Sequence, residues 1–253
     1  MKAREIAAAL EAFAPLETQE SWDNAGFCIG SPGAEVHAVL VGFDCTLPLV
    51  REAVTRGADM IVTHHPLIFG GLKRIDPDDP VGAAVCLAIR HGIVVYAAHT
   101  NADKADGGVN ALMAARLGLV EPKPLDDSGL GMIGLLPAPL RGEDFCAYVK
   151  ACFALRTLRC SAPVESVRCV ATSCGAGASF AEAAFAAGAD AFITGDVSYH
   201  RFQVPEGHMI LDIGHYESEV EIVAKFVSVL QKNFPTFAVY TANCANNNPI
   251  YYF

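Results

Sequence analysis

Short apolar runs alternate along the chain with segments whose apolar residues recur at helical spacing. The apolar runs predict strands over 36–43, 59–63, 92–98 and 209–213. The segments between them predict helices over 48–57, 80–92 and 107–119. Strand–helix–strand alternation is typical of a parallel sheet flanked by helices, so the predicted fold class is α/β.

The second half of the chain repeats part of the first half. Residues 36–65 align with residues 167–196 without a gap, at an offset of 131. In both copies a helix ends in Gly-Ala-Asp and the following strand ends in threonine, at Thr63 and at Thr194. We interpret the match as an internal duplication that produces two related α/β lobes with mixed, mostly parallel sheets. The alternative is that Gly-Ala-Asp only marks a helix stop before a strand.

The two copies differ directly after this strand. His64 and His65 follow the threonine in the first copy, whereas Gly195 and Asp196 occupy the equivalent positions in the second copy. The histidines are therefore an addition to the shared scaffold and not a part of it.

A polar segment, 121–129, separates the two series and predicts a linker or domain boundary. We expect a discontinuous first lobe, formed by 1–124 and 217–253, and a second lobe formed by 125–216.

Composition limits the classes of partner and the cellular compartment that we expect for this protein. With 52% hydrophobic residues the chain can bury a sizeable core, and its net charge of −10 argues against nucleic-acid polymers and membranes as main partners. Nine cysteines without a C-x-x-C pair are typical of reduced thiols in a cytoplasmic protein.

Glu5 and Glu11 interrupt the N-terminal apolar pattern, which predicts an amphipathic helix and not a signal peptide. No apolar run is long enough to cross a bilayer.

Side chains that can bind metal ions or transfer protons follow the predicted strands. In open parallel sheets, function gathers at the carboxyl ends of the strands, so we expect these side chains to lie close together. They are Asp44, His64, His65, His99, Asp103 and His215.

A second pattern places a carboxylate beside His215. If a helix starts near Tyr216, Glu219 lies four residues after His215 and shares one face of the first turn with it. Imidazole and carboxylate at this spacing form a workable pair of metal ligands. Glu217 would point elsewhere, as a negative charge favoured at a helix N-terminus.

The combined set suits a dinuclear metal centre. Three histidines and two carboxylates are too many ligands for one tetrahedral ion with an open position, but they suit two ions that share a carboxylate. We predict that His64 and His65 each bind a different divalent ion and that Glu219 bridges the two. Asp103 and His215 would complete the ligand shells, in the cleft between the lobes. These ligand types suit zinc, iron, manganese, cobalt or nickel without distinguishing among them.

His99 and Asp44 are the candidate catalytic residues beside this centre. His99 is expected to donate a proton to the substrate or to support the ligands, and not to bind metal itself. Plainer interpretations also exist: adjacent histidines are common on surface helices and loops, His99 can bond to the backbone, and Asp103 or Asp44 can cap a helix.

Several motifs occur in a fixed order over nearly the whole chain: SWDNAGFCIG, VGFDCT, THHPLIF, AAHTNAD, ITGDVSYH and GHYESE. In these motifs the chain resembles the Nif-three-like dinuclear-metal family, whose members are also named GTP cyclohydrolase I type 2 homologues. The tail from Thr241 onward has no match. The resemblance implies the metal ligands His64, His65, Asp103, His215 and Glu219, the same set that the residues suggest.

The resemblance also implies a two-lobed subunit in a toroidal homohexamer, a trimer of dimers whose metal sites face an internal cavity. The apolar segment 180–195, in which only Glu182 and Asp190 are charged, predicts a helix buried partly against another subunit. The alternative is that its alanines are helix formers on an exposed surface.

Two functions from different classes remain open. The first is a dinuclear metal-dependent hydrolase that acts on a nucleotide or a phosphorylated small molecule, with metal-activated water as nucleophile. The second is a non-enzymatic, metal-containing hexameric scaffold that stores metal or binds proteins. The nearby polar groups of His99, Asp44 and the Trp22-Asp23-Asn24 segment favour the enzyme, and His200 of the second lobe is a further candidate for the same cavity.

Overall fold

The computed structural model of the protein describes residues 1–243 and 249–252. Residues 244–248 and 253, in the tail that matched no motif, lie outside the described residues. The strands are β1 (Gly26–Ile29), β2 (Ala38–Val41), β3 (Met60–Thr63), β4 (Val94–Ala97), β5 (Val120–Pro124), β6 (Met132–Leu140), β7 (Arg159–Cys160), β8 (Val167–Thr172), β9 (Ala191–Thr194), β10 (Met209–Asp212) and β11 (Ala238–Thr241). The α-helices are α1 (Ala3–Glu11), α2 (Leu47–Arg56), α3 (Pro80–Arg90), α4 (Thr100–Lys104), α5 (Val109–Arg116), α6 (Gly142–Phe153), α7 (Ala181–Ala186), α8 (His215–Glu219) and α9 (Glu221–Asn233).

The chain forms two compact units. Of the described residues, the first unit contains 1–105, 222–243 and 249–251, and the second contains 106–221 together with Tyr252. The first unit is thus discontinuous in sequence. The division into lobes after residue 124 and after residue 216 remains a prediction.

The first unit is built on a five-stranded sheet with the order β1-β4-β3-β2-β11. All neighbouring strands are parallel except β1, which pairs antiparallel with β4. Every residue of β2, β3 and β4 is buried, because helices and loops cover both faces of these central strands. The continuous apolar runs that predicted these strands reflect this burial.

Helix α2 begins and ends at local signals in the sequence. Thr46 Oγ1 accepts a hydrogen bond from the backbone N–H of Leu49, and Pro48 occupies the first turn, where its missing N–H costs nothing. Gly57 ends the helix with a φ of 67°, a left-handed conformation that glycine adopts without strain. Thr46 is therefore the cap of this helix, and the capping alternative for Asp44 is wrong.

The second unit is built on a six-stranded sheet with the order β5-β6-β8-β9-β10-β7. Only β8, β9 and β10 run parallel, and the other pairings are antiparallel. The fold is the predicted mixed α/β class, but parallel pairing predominates only in the sheet of the first unit.

The predicted linker 121–129 is wrong in its first part. Residues 120–124 form β5, an edge strand in which every residue is exposed. Pro122 and Pro124 suit an edge because they cannot donate ladder hydrogen bonds, and charged residues there discourage pairing with other chains. The same composition marks linkers, which is why the sequence pattern did not distinguish the two.

The two copies of the duplicated segment have the same strand register. Val39 of β2 lies opposite Met60 of β3, and Val170 of β8 lies opposite Ala191 of β9. Each residue of the second pair lies 131 positions after its counterpart, which is the offset of the sequence alignment. The two units therefore share one β–α–β scaffold.

The aspartate of Gly-Ala-Asp performs the same task in both copies. Asp59 Oδ2 accepts hydrogen bonds from the backbone N–H groups of His37 and Ala38, at 2.7 and 3.4 Å. Asp190 Oδ2 accepts two backbone N–H groups of β8, both at 2.8 Å. A helix stop alone needs no such carboxylate, so these bonds support the duplication over the plainer interpretation.

The apolar segment 180–195 is not a helix buried on all sides. Its helix, α7, buries only Ala181 and Ala184, whereas all of β9 is buried. Phe185 packs against the ring of His208, with 4.6 Å between ring centroids. Much of the apolar character of the segment thus belongs to a central strand.

The predicted amphipathic helix at the N-terminus is confirmed as α1. Ile6 and Leu10 are fully buried in its apolar face. Among the described residues, no helix combines the length and apolar character required to cross a membrane.

Candidate metal centre

Three histidines of the first unit meet at the carboxyl ends of two neighbouring strands. His64 and His65 follow β3, and His99 lies two residues after β4. The strands pair in parallel, with Thr63 opposite Ala97, so their ends lie side by side. One ring nitrogen from each histidine lies within 4.8 Å of the others. This convergence is what the placement of the residues after the strands predicted.

His64 and His65 converge although neighbours on a strand point to opposite faces. The backbone carbonyl of Phe43 accepts the N–H groups of both histidines, at 3.1 and 3.3 Å, so the regular strand ends here. Thr63 Oγ1 donates to the carbonyl of His65 at 2.8 Å and holds the turn. The two imidazole rings lie 4.7 Å apart as a result.

Oxygen acceptors hold the Nδ1 atoms of both histidines. His64 Nδ1 lies 3.0 Å from the carbonyl of Ala98, and His65 Nδ1 lies 2.7 Å from Asp44 Oδ1. Since these oxygens only accept, Nδ1 carries a proton and Nε2 of a neutral ring presents its lone pair. Histidines that bind metal through Nε2 are typically oriented by such an Nδ1 contact.

Asp103 lies against the buried ring of His64. It is the fourth residue of α4, is only 6% exposed, and places Oδ1 3.5 Å from His64 Nε2. The capping interpretation of Asp103 is therefore wrong. A proton or a cation between the imidazole nitrogen and the carboxylate oxygen would stabilise this buried contact.

His99 is held by a carboxylate that lies far away in the sequence. Its Nδ1 is 2.7 Å from Asp23 Oδ1, and Asp23 Oδ2 accepts the N–H and hydroxyl of Thr100 at 3.0 and 2.5 Å. Burial raises the pKa of Asp23, but the hydrogen bonds from His99 and Thr100 outweigh this effect and lower the pKa to about 2. Asp23 is thus ionised and keeps the Nδ1 proton on His99, so that Nε2 can accept or release a proton.

His215 and Glu219 form a pair within the second unit. Both lie on α8, four residues apart, and His215 Nε2 is 3.0 Å from Glu219 Oε2. The predicted pairing on one helix face is confirmed. His215 Nδ1 lies 2.7 Å from Asp196 Oδ2, so this ring is oriented in the same way as that of His65.

Two glycines make room for this pair. A Cβ on Gly175 would overlap Glu219 Oε1. A Cβ on Gly195 would lie 2.7 Å from the backbone nitrogen of His215. Gly195 occupies the position that His64 has in the first copy, and the backbone of His215 leaves no space for a side chain there.

Sequence reasoning missed the roles of Asp23 and Asp196. Asp196 stands in the position of His65, which was a signal that this position carries a functional group in both copies. For Asp23, the only signal in the sequence was its place in the Trp22-Asp23-Asn24 segment. His200 lies in an exposed 3₁₀ turn, Tyr199–Phe202.

Glu217 was predicted to point away from the His215–Glu219 pair. Its carboxylate lies near the hydroxyl of Tyr252. Burial, followed by the charge of Glu217, raises the pKa of Tyr252.

Comparison with known proteins finds relatives along almost the whole chain. The family model described as Duf34/NIF3 (NGG1p interacting factor 3) matches residues 1–249. A Streptomyces coelicolor protein named GTP cyclohydrolase 1 type 2 homolog is 36% identical over 229 residues, 85% of this chain and 80% of the relative. A Clostridium acetobutylicum protein of the same name is 31% identical over 230 residues, 87% of this chain and 85% of the relative.

One solved structure extends the comparison to the fold. The crystal structure of a hypothetical protein from Staphylococcus aureus is 28% identical and matches with a TM-score of 0.88. The match covers 100% of this chain and 99% of that protein.

Proposed function

The chain belongs to the DUF34/NIF3 family, and on this premise we propose that it is a metal-dependent hydrolase of a nucleotide or a phosphorylated small molecule. The proposed cofactor is a pair of divalent ions per subunit. Zinc, iron, manganese, cobalt and nickel all suit the ligand types.

The observation that carries this proposal is the common orientation of the histidines. His64, His65 and His215 each have Nδ1 bound to an oxygen acceptor, which leaves Nε2 to act as a ligand. His37 and His208 also place Nδ1 beside an oxygen acceptor, but neither belongs to a group of ligand atoms that lie within 4.8 Å of one another among the described residues. In addition, His64 and His215 each direct Nε2 at a buried carboxylate, an arrangement that a cation stabilises.

We assign five ligands to the ions: His64, His65, Asp103, His215 and Glu219. Glu219 is the proposed bridging ligand, and its side chain is only 4% exposed. When bound, divalent ions of this kind lower the pKa of water and polarise phosphoryl or carbonyl oxygens.

Side chains that do not bind the ions move protons and orient the ligands. His99, held by Asp23, is the proposed proton donor and acceptor through Nε2, and its side chain is 13% exposed. Asp44 was predicted as catalytic, and its contact with His65 Nδ1 supports a positioning role in which it acts through that ring. Asp196 would serve His215 in the same way.

We propose that the protein works in the cytoplasm as a homohexamer, a trimer of dimers. No disulfide joins the cysteines within residues 1–243, which accords with a reducing compartment. Exposed alanines on α7, including Ala183 and Ala186, offer a small-residue surface for another subunit. A ring with internal sites would restrict substrates to small molecules.

Metal analysis combined with a substrate screen tests the function. Protein loaded in turn with each candidate metal is assayed against nucleotides, phosphoesters and cyclic amidines, and bound metal is measured by elemental analysis. We expect about two ions per chain and hydrolysis that His64→Ala abolishes. His91→Ala, at the exposed C-terminal end of α3, is the control that should change neither quantity.

Glu219→Gln should remove more metal than any single histidine variant, because a bridging carboxylate contacts both ions. Two bound ions without hydrolysis of any substrate class would overturn the enzyme and favour the metal-containing scaffold. A single ion or none in metal-replete protein would overturn the dinuclear centre itself.

A further inference from the structure

Two large aromatic residues of the first unit are exposed beside His99. Trp22 and Phe69 are 57% and 54% exposed. Their ring centroids lie 6.4 and 6.0 Å from that of His99, and 5.9 Å from each other. Single exposed apolar residues are ordinary, but a cluster of exposed aromatic rings next to a reactive group is typical of a ligand-binding surface.

Hydrogen bonds fix the backbone that carries both rings. Asp23, directly after Trp22, is held by its contacts with the end of β4 and the start of α4. Asn24 Nδ2 donates to the carbonyl of Ile68 at 2.5 Å, which ties this segment to the residue before Phe69. A preorganised surface of this kind loses little conformational entropy when a ligand binds.

The rings are not stacked face to face. Trp22 and Phe69 meet the His99 ring at interplanar angles of 77° and 78°, and each other at 56°. None of these contacts is a parallel stack, and both side chains remain more than half exposed. A planar π system fits such faces by offset stacking.

We infer that Trp22 and Phe69 form a ring-binding subsite and that the substrate carries a planar heteroaromatic ring of the nucleobase class. The inference rests on the proposed function and narrows its substrate to compounds with such a ring. A ring stacked on either residue lies next to His99, the group proposed to transfer protons. Two side chains offer an area suited to one base and far smaller than the surface that a stable subunit contact buries.

The chain provides its own probe for this subsite. Trp22 is the only tryptophan in the sequence, so the intrinsic tryptophan fluorescence of the protein reports on this position alone. Full-length, metal-loaded protein is titrated with guanosine 5′-monophosphate and, separately, with ribose 5-phosphate, which has the same phosphate and no ring. We expect saturable quenching by the nucleotide and none by the sugar phosphate.

Variants separate stacking from simple apolar contact. Phe69→Leu keeps an apolar side chain and removes the π system, and it should weaken nucleotide binding about 5- to 150-fold, the range expected for loss of one base–aromatic stack. Phe69→Tyr should retain binding. Ile89→Ala removes an equally exposed apolar residue, 58% exposed on α3, and should bind the nucleotide as the parent protein does. Melting temperature and metal content check that each variant is folded.

Several outcomes would overturn the subsite. Equal quenching by both probes would show that the phosphate alone is recognised, and unchanged binding in Phe69→Leu would exclude stacking. Tryptophan emission that changes with protein concentration but does not respond to either probe would assign the aromatic pair to a contact between copies of the chain. Nucleotide binding without hydrolysis would support the subsite and contradict the proposed hydrolase. Hydrolysis limited to ring-free phosphoesters would support the hydrolase and contradict the subsite.

Discussion

The α-carbon of Gly175 lies against the carboxylate of Glu219, so closely that a methyl group on Gly175 would overlap Glu219 Oε1. The second unit thus depends on a missing side chain to seat the carboxylate that we propose as the bridging ligand. Gly175 also has a φ of 54°, in the left-handed region that other residues rarely adopt.

Gly175→Ala should displace the Glu219 carboxylate and lower the metal content to fewer than two ions per chain. Gly57→Ala is a matched control, because Gly57 has a similar φ of 67° and a Cβ there meets no atom within 4 Å. Both variants should lose stability from backbone strain, by about 1 kcal/mol. Elemental analysis should show metal loss only in Gly175→Ala. Equal metal content in the two variants would contradict the proposal that the missing side chain at Gly175 makes room for the Glu219 carboxylate.

The carboxylates behind the histidines should control metal affinity without binding metal. Asp44→Asn and Asp196→Asn remove the charges that orient His65 and His215, and each should weaken metal binding about 10- to 100-fold. Competition with a chromogenic chelator measures this affinity. Asp127→Asn, on the exposed surface, is the control and should leave it unchanged. A metal affinity equal to that of the parent protein in both Asp44→Asn and Asp196→Asn would contradict the positioning role of these carboxylates.

Asp59 and Asp190, the aspartates of the two Gly-Ala-Asp segments, should contribute equally to stability if both copies have kept the same hydrogen-bonding role. Asp59→Ala and Asp190→Ala each leave two backbone N–H groups without their carboxylate acceptor. Each variant should lower the free energy of unfolding of its unit by about 1–3 kcal/mol. Chemical denaturation monitored by circular dichroism measures the loss. A large effect at one position and none at the other would argue that only one copy uses the aspartate structurally.

Asp23 should make the stability of the first unit depend on pH in the acid range. Its pKa of about 2 in the folded protein is below the ordinary value of 3.8, so its contribution is fully present above pH 3.8 and is lost as the pH falls through 2. At neutral pH the contribution is about 2 kcal/mol. Metal-free Asp23→Asn should therefore be less stable than the parent protein at pH 7, and the difference should shrink between pH 4 and pH 2. Urea denaturation across this range tests the sign, and a difference that stays constant with pH would refute it.

The homohexamer should be visible in solution. Light scattering during size exclusion should report a mass near six times 26.8 kDa. Ala183→Glu places a charge on the exposed face of α7 and should reduce this mass if that face lies in a subunit contact. Glu182→Gln, at the neighbouring exposed position, is the control. A parent protein that elutes as a monomer with both metals bound would exclude the ring from the mechanism.

Local signals in the sequence were enough to predict most of the helices and strands. The buried strands β2, β3 and β4 are continuous apolar runs because both faces of a central parallel strand are covered. Gly57 ends α2 by its own conformational freedom, and the His215–Glu219 pair follows from the pitch of one helical turn. The duplication was readable because the same side chains make the same backbone contacts 131 residues apart.

The tertiary structure decided which groups orient the histidines and which exposed residues stand beside them. Asp23 is 76 residues from His99, and Asp196 is 19 residues from His215, so no local pattern joins them. The exposed segment of β5 likewise became a strand only through its pairing with β6. Periodicity reports the face that a residue presents within its own element, whereas a contact between elements depends on strand order and register, and here these bring the carboxylates to the Nδ1 atoms.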